Sequence, residues 1–145
     1  MSAREDLDAA IELYHRTTAD FIRGDAEPYK RCFSHTTDIS LANPFKPAAT
    51  GWVEADETIT QAATYWREGE VVGFERVAEL VTPELAYILE FERYRAKIGG
   101  AEQSTPVNLR VTSILRPENG TWKIVHRHAD PITEARPASS VVAND

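Results

Sequence analysis

The chain predicts a cone-shaped α+β barrel, three N-terminal helices packed on a strongly curved antiparallel sheet, and three observations carry that expectation. Apolar residues recur at helical spacing through the first part of the 145-residue chain. From Val71 onward the apolar period shortens to the alternation of half-buried strands. The turn dipeptides Pro83-Glu84, Gly99-Gly100 and Asn119-Gly120 then divide this second part into four strand-like runs. Helices followed by an antiparallel meander are an α+β signature.

The first helix opens on Ser2 and Glu5, which have capping-box spacing. Leu7, Ile11, Tyr14, Thr18, Phe21 and Ile22 share one face of it, and Gly24 ends it. Asp25 can cap a second short helix through Phe33, with Tyr29, Cys32 and Phe33 as its apolar side. A brief strand is expected around Asp38 to Leu41, followed by the loop Asn43 to Pro47, whose prolines argue against regular structure. Trp52, Ile59, Ala62, Ala63 and Trp66 mark a third helix that ends near Glu68 to Glu70. The runs Val72 to Thr82, Leu85 to Lys97, Pro106 to Arg116 and Thr121 to Asp130 supply the strands. Residues 1–131 form one domain in this reading, and residues 132–145, rich in Pro, Ala and Ser, form a loosely ordered tail.

Composition bounds the function. Acidic residues outnumber basic ones 23 to 16, which disfavours nucleic acid and anionic membranes as partners. Cys32 is the single cysteine, so no intrachain disulfide or cysteine zinc cluster forms. No run reaches the roughly 18 apolar residues of a membrane span, and Met1 to Asp8 is acidic with no apolar stretch. These features set the expectation of a cytoplasmic protein with no cofactor.

Tight two-residue turns would fix strand register, and register fixes facing. Counted from Asn119-Gly120 and Gly99-Gly100, one sheet face collects Tyr87, Leu89, Phe91, Asn108, Arg110, Thr112, Ile114, Val125 and Arg127. The other collects Glu90, Glu92, Leu109, Val111, Ser113, Trp122, Ile124, His126 and His128. The first, apolar around a few polar groups, has the makeup of a ligand pocket and is assigned to the cone interior. The second becomes the outer, homodimer-forming face, with Glu90 and Glu92 as solvated or interface charge. A single bulge would exchange the faces of everything beyond it.

Certain residues then match a known pattern: Phe33 and Asn43-Pro44 after two helices, Gly51-Trp52 opening the third, Leu109-Arg110-Val111-Thr112, and the run from Gly120 to His128. Over roughly residues 5 to 130 the chain resembles the nuclear-transport-factor-two-like superfamily, and within it the SnoaL-like, ketosteroid-isomerase-like proteins. Its closing strand is also similar to that of the kinase association domains of that superfamily. The resemblance implies a small-molecule pocket, with isomerase-, lyase- or cyclase-type chemistry near a carbonyl or carboxylate, or else a non-catalytic assembly or ligand-sensing module. Isomerases of this kind place a carboxylate base before a proline; here Asn43 holds that place, and an amide can orient a carbonyl but cannot take its proton.

The candidate catalytic residues are therefore Arg110, Arg127, Asn43, His126 and His128. Arg110 and Arg127, if both inward, would recognise a carboxylate or enolate by bidentate bonds, or would pair with internal acids. Asn43 serves either as a turn residue or as a carbonyl-orienting one. His126 and His128, about 6.6 Å apart on one side of a strand, suit hydrogen bonding across a dimer face; with no third ligand cluster in view, no metal is expected. Tyr14, Trp66, Tyr87, Leu89, Phe91, Asn108 and Thr112 complete the expected pocket wall.

Overall fold

The computed structural model describes residues 2–144. Helix α1 (Ala3–Phe21) starts where Ser2 Oγ accepts the backbone N–H of Glu5 at 3.1 Å, and it buries Leu7, Ile11, Tyr14, Thr17 and Thr18. Helix α2 (Glu27–Lys30) is a single turn, shorter than expected because Pro28 starts it and the chain then pairs Phe33 with Ile124. Strands β1 (Ser40–Asn43) and β2 (Lys46–Thr50) form a hairpin, so the stretch expected to be an irregular loop is partly a strand. Pro47 is tolerated there because β2 is an edge strand.

Helix α3 (Gly51–Ala63) buries Ala55, Thr58, Ile59, Ala62 and Ala63. It stops three residues short of Trp66, which opens a strand rather than closing the helix. The meander follows as β3 (Trp66–Val81), β4 (Ala86–Ile98), β5 (Thr105–Glu118) and β6 (Thr121–Asp130). The six strands lie in the order β2-β1-β6-β5-β4-β3, antiparallel except for the β1–β6 pair. Three irregularities in the β3–β4 ladder bend β3 around the helices. At the bend Gly69 lies so close to Ile22 that a side chain there would collide with it.

Two register details decide what faces the interior. Asn119 and Gly120 both have positive φ, 54° and 82°, and Glu118 pairs with Thr121 as a tight hairpin requires. Four pairs later the ladder steps: Leu115 faces Ile124 but Ile114 faces His126, so Val125 has no partner. The Gly99-Gly100 connection is longer than two residues, which slides β5 by two positions along β4 without changing its facing.

On β4 and β5 the two facing sets are as counted, but the side buried in the core is the one expected to be outer. Ala86, Ile88, Glu90, Glu92, Tyr94 and Ala96 of β4 are buried, as are Leu109, Val111, Ser113 and Leu115 of β5. The expectation that Tyr87, Leu89, Phe91, Asn108, Arg110 and Thr112 point inward is corrected: they lie on the outer face, exposed or half-buried. Arg127 is interior because the unpaired Val125, the one register step of the β5–β6 ladder, sets it opposite the buried Ser113 rather than Thr112.

Candidate functional site

Helix α1, helix α3 and the inner face of the sheet leave a cavity at the open end of the core. Its wall is mainly aromatic and aliphatic, with Phe21, Tyr29, Ile59, Trp66, Tyr94 and Leu109 around Arg127, and the β1–β2 turn Asn43-Pro44-Phe45 at its mouth. About 30 Å³ of it is open to the centre of a water molecule, room for roughly two waters at about 10–15 Å³ each. The space left unfilled by protein atoms, mouth included, is about 450 Å³.

Arg127 is held from behind. Its Nε donates to Tyr14 Oη at 2.9 Å and its Nη2 to Glu92 Oε1 at 3.3 Å. The hydroxyls of Tyr14 and Tyr94 both donate to the Glu92 carboxylate. All four side chains are buried, Glu92 completely. The guanidinium also lies 5.8 Å from the Tyr14 ring centre and 6.0 Å from that of Tyr29, within cation–π range. Positive and negative charge thus balance one to one, and both carboxylate oxygens are satisfied, which is the condition for burying an ion pair.

Burial pushes the Tyr14 and Tyr94 hydroxyls well above the ordinary tyrosine range, Glu92 adds to the rise, and Arg127 opposes it. Burial works against the charge of Arg127, but the tyrosines and Glu92 outweigh it and its pKa is raised well above the usual value. The network therefore holds a permanent guanidinium and neutral phenols across the physiological range.

One buried polar atom of the cavity wall remains open. Trp66 Nε1 is buried with no acceptor among the described residues. Arg127 engages its Nε and Nη2 behind the wall. Both side chains line the cavity. Asn43 lines it too, but its Oδ1 accepts the backbone N–H groups of Phe45 and Lys46, each at 2.9 Å. Those two bonds are the ones a turn-forming residue makes.

The remaining candidates lie elsewhere. Arg110 makes a two-pronged pair with Asp130 on the outer face at 3.1 and 2.8 Å, and His128 Nε2 lies 3.1 Å from the same carboxylate. Those bonds, the Arg110 pair above all, hold Asp130 below the usual carboxylate value although its partial burial acts the other way. His126 is half-buried beside Ser40, 2.7 Å from its hydroxyl. No cluster of three or more metal-type side chains occurs among the described residues. Of the residues expected in the pocket wall, the structure brings Asn43, Trp66 and Arg127 together there, sets Tyr14 behind Arg127 as its hydrogen-bond partner, and leaves Tyr87, Leu89, Phe91, Asn108, Arg110 and Thr112 outside.

Sequence reasoning missed Glu92, Tyr94, Tyr29 and Phe45. The alternating set Ala86, Ile88, Glu90, Glu92, Tyr94 and Ala96 holds two acids, so it reads as the wet side of β4. The opposing signal was Arg93 and Arg95, two charges on the other side of the same strand, with no acid beside them on that side of β4.

A helix-covered cone with an aromatic chamber and a buried arginine floor defines the class: an α+β barrel of the nuclear-transport-factor-two-like type. Residues 9–133 match the family model of the SnoaL-like domain, and the chain belongs to that family. Among solved structures it is similar to a protein of Streptomyces avermitilis provisionally assigned as a dehydratase of the NTF2-like family, at 18% identity and a TM-score of 0.73, covering 90% of this chain and 96% of that one. It is similar also to a ketosteroid isomerase-like protein of Erwinia carotovora (20% identity, TM-score 0.70, 88% of this chain and 94% of that one). An NTF2-like superfamily protein of Salmonella enterica aligns at 17% identity and a TM-score of 0.72, covering 94% and 95%. At these identities the likeness is one of fold. No curated protein matches the chain. No helix of the described residues is long and apolar enough to cross a membrane.

Proposed function

We propose that this domain binds a small, flat, mostly apolar molecule that presents a carbonyl oxygen to Arg127. The observation that supports this most directly is the buried, acceptor-free Trp66 Nε1 on the largely apolar wall that it shares with Arg127. A buried donor without a partner costs about 1–3 kcal/mol, and a ligand oxygen would recover that cost. Charge accounting favours a neutral carbonyl over a carboxylate, because Glu92 already neutralises Arg127. An anionic ligand would leave one uncompensated charge in the core. Binding is the activity proposed: no carboxylate or histidine is among the cavity-lining residues to serve as a proton acceptor, and Glu92 is occupied behind Arg127. Ligand-observed NMR with acetophenone and benzoate tests the reading. Acetophenone should bind, and lose binding in Arg127→Gln, while benzoate binds more weakly. Tighter binding of benzoate would refute the charge argument, and silence of both probes would refute the site.

A second reading concerns the outer face. Leu80, Leu85, Tyr87 and Ile114 form an apolar patch at one end of it, with Leu80 57% and Leu85 50% exposed. Pairing of two copies through this face would cover the patch. Sedimentation equilibrium should show a dimer that Leu80→Glu dissociates; a monomeric wild type would dismiss it.

A further inference from the structure

We infer that Phe45 is the gate of the cavity and the residue that limits the size of what enters. The cavity as it stands admits about two waters, so any organic ligand requires part of the wall to move. Most of that wall cannot do so cheaply. Thr18, Tyr29, Leu41, Ile59, Ala62, Trp66, Tyr94, Leu109 and Arg127 are all buried and packed into the core. Pro44 and Phe45 are the exposed members, and Phe45, 42% exposed, is the large one.

Phe45 also stands between two spaces. It lines the cavity on one side and, with Tyr65, Ile98 and Gly99, a surface groove on the other. Its ring meets Tyr65 edge-on, centroids 5.0 Å apart, and Trp66 edge-on at 6.3 Å. These are its aromatic contacts, and edge-on pairs of this kind are individually weak, so the ring can leave them at small cost.

The backbone beneath it is fixed. Asn43 Oδ1 ties down both Phe45 N and Lys46 N, and Asn43 pairs with Lys46 across the hairpin. A pinned two-residue turn carrying an exposed ring opens by side-chain rotation, not by loop movement. The groove lined by Tyr65, Ile98 and Gly99 offers an apolar place for the ring to go. An entrance of this kind selects by width: a single ring passes when Phe45 rotates, whereas a fused ring system is turned away.

The test has two arms, and only the second rests on the ligand reading above. In the first, the protein is labelled with 5-fluorotryptophan, the Trp66 resonance is assigned by Trp66→Phe, and broadening by a small neutral nitroxide is measured. Phe45→Ala should raise broadening at Trp66 severalfold and leave Trp122, 3% exposed and not part of the cavity wall, unchanged. Phe45→Leu should fall between. No change at Trp66, or an equal rise at both tryptophans, would overturn the gate. In the second arm, acetophenone should associate about tenfold faster with Phe45→Ala, since a gating motion slows association. 2-Acetylnaphthalene should bind the Phe45→Ala variant and not the wild type. Equal binding of the bulkier ketone by both proteins would overturn the size limit. Should neither ketone bind either protein while Trp66 becomes accessible, the gate stands and the ligand reading fails.

Discussion

Glu90 and Glu92 are the same residue type on the same strand, both on its inner side and both buried, yet they occupy different environments. Glu92 has no exposure, and its partners Tyr14, Tyr94 and Arg127 are themselves sealed in the core. Glu90 binds His15 Nε2 at 2.7 Å and Arg76 Nε at 3.0 Å, side chains that keep 24% and 30% of their surface in water. His15 also stacks on Phe74 at 3.7 Å. One carboxylate belongs to a dry network under the cavity, the other to a wet network at the rim. The difference shows that the exposure of the partners, more than that of the acid, decides how strongly a charge is committed. Water reaching a partner screens the pair and can replace it.

The largest effect is expected from breaking the dry network. Arg127→Ala leaves Glu92 buried without its counter-charge and should cost about 3–5 kcal/mol, read as a lower urea midpoint with an unchanged slope. Arg76→Ala at the rim should cost about 1 kcal/mol or less, because its partly exposed pair is screened. Similar losses in the two variants would erase the distinction between the networks.

Tyr14→Phe comes next. It deletes a hydroxyl that donates to Glu92 and accepts from Arg127. A bond to a charged group is worth roughly 1.5–3 kcal/mol. A loss below the Arg76→Ala value would mean that the network is not tightly coupled.

The smallest effect is a pH dependence confined to the wet rim and to the outer side of β6. Burial alone would raise Glu90, but its bonds to His15 and Arg76 win and hold it below the usual carboxylate value. Its stabilisation is therefore complete above the unfolded value of about 4.3 and is lost as pH falls through the lower folded value. Glu90→Gln should flatten thermal stability in that acid range. On β6, burial and then His128 lower His126 below its ordinary value. The unfolded chain binds that proton first, so stability should decline as pH drops below about 6.5. His126→Gln should remove that component, and an unaltered pH profile of melting temperature would refute it.

Much of the fold was legible before the structure. The face Leu7, Ile11, Tyr14, Thr18 marks the first helix because every third or fourth residue must reach the core. Asn119-Gly120 marks a hairpin because both positions require positive φ. Phe45 and Glu92 were not legible as site residues. The first is an ordinary turn aromatic until Trp66 is seen beneath it. The second is an ordinary strand acid until Tyr14, Tyr94 and Arg127 arrive from three other segments to satisfy it.

By itself, the sequence determined the cone: its helices, its meander, its tight final turn and its SnoaL-like character, all set by local periodicity and turn chemistry. Tertiary structure alone decided which side of the sheet became the chamber. The pattern was divided: β5 is apolar on its inner side (Val107, Leu109, Val111, Leu115), whereas β4 sets Tyr87, Leu89 and Phe91 on its outer side against Glu90 and Glu92 on its inner one. Facing rested on counting residues from the turns. The unpaired Val125 breaks that count on β6. A bulge is a property of two strands in register, paid for by packing across the whole sheet, and it brings Arg127 beside Glu92 while Arg110 stays outside with Asp130.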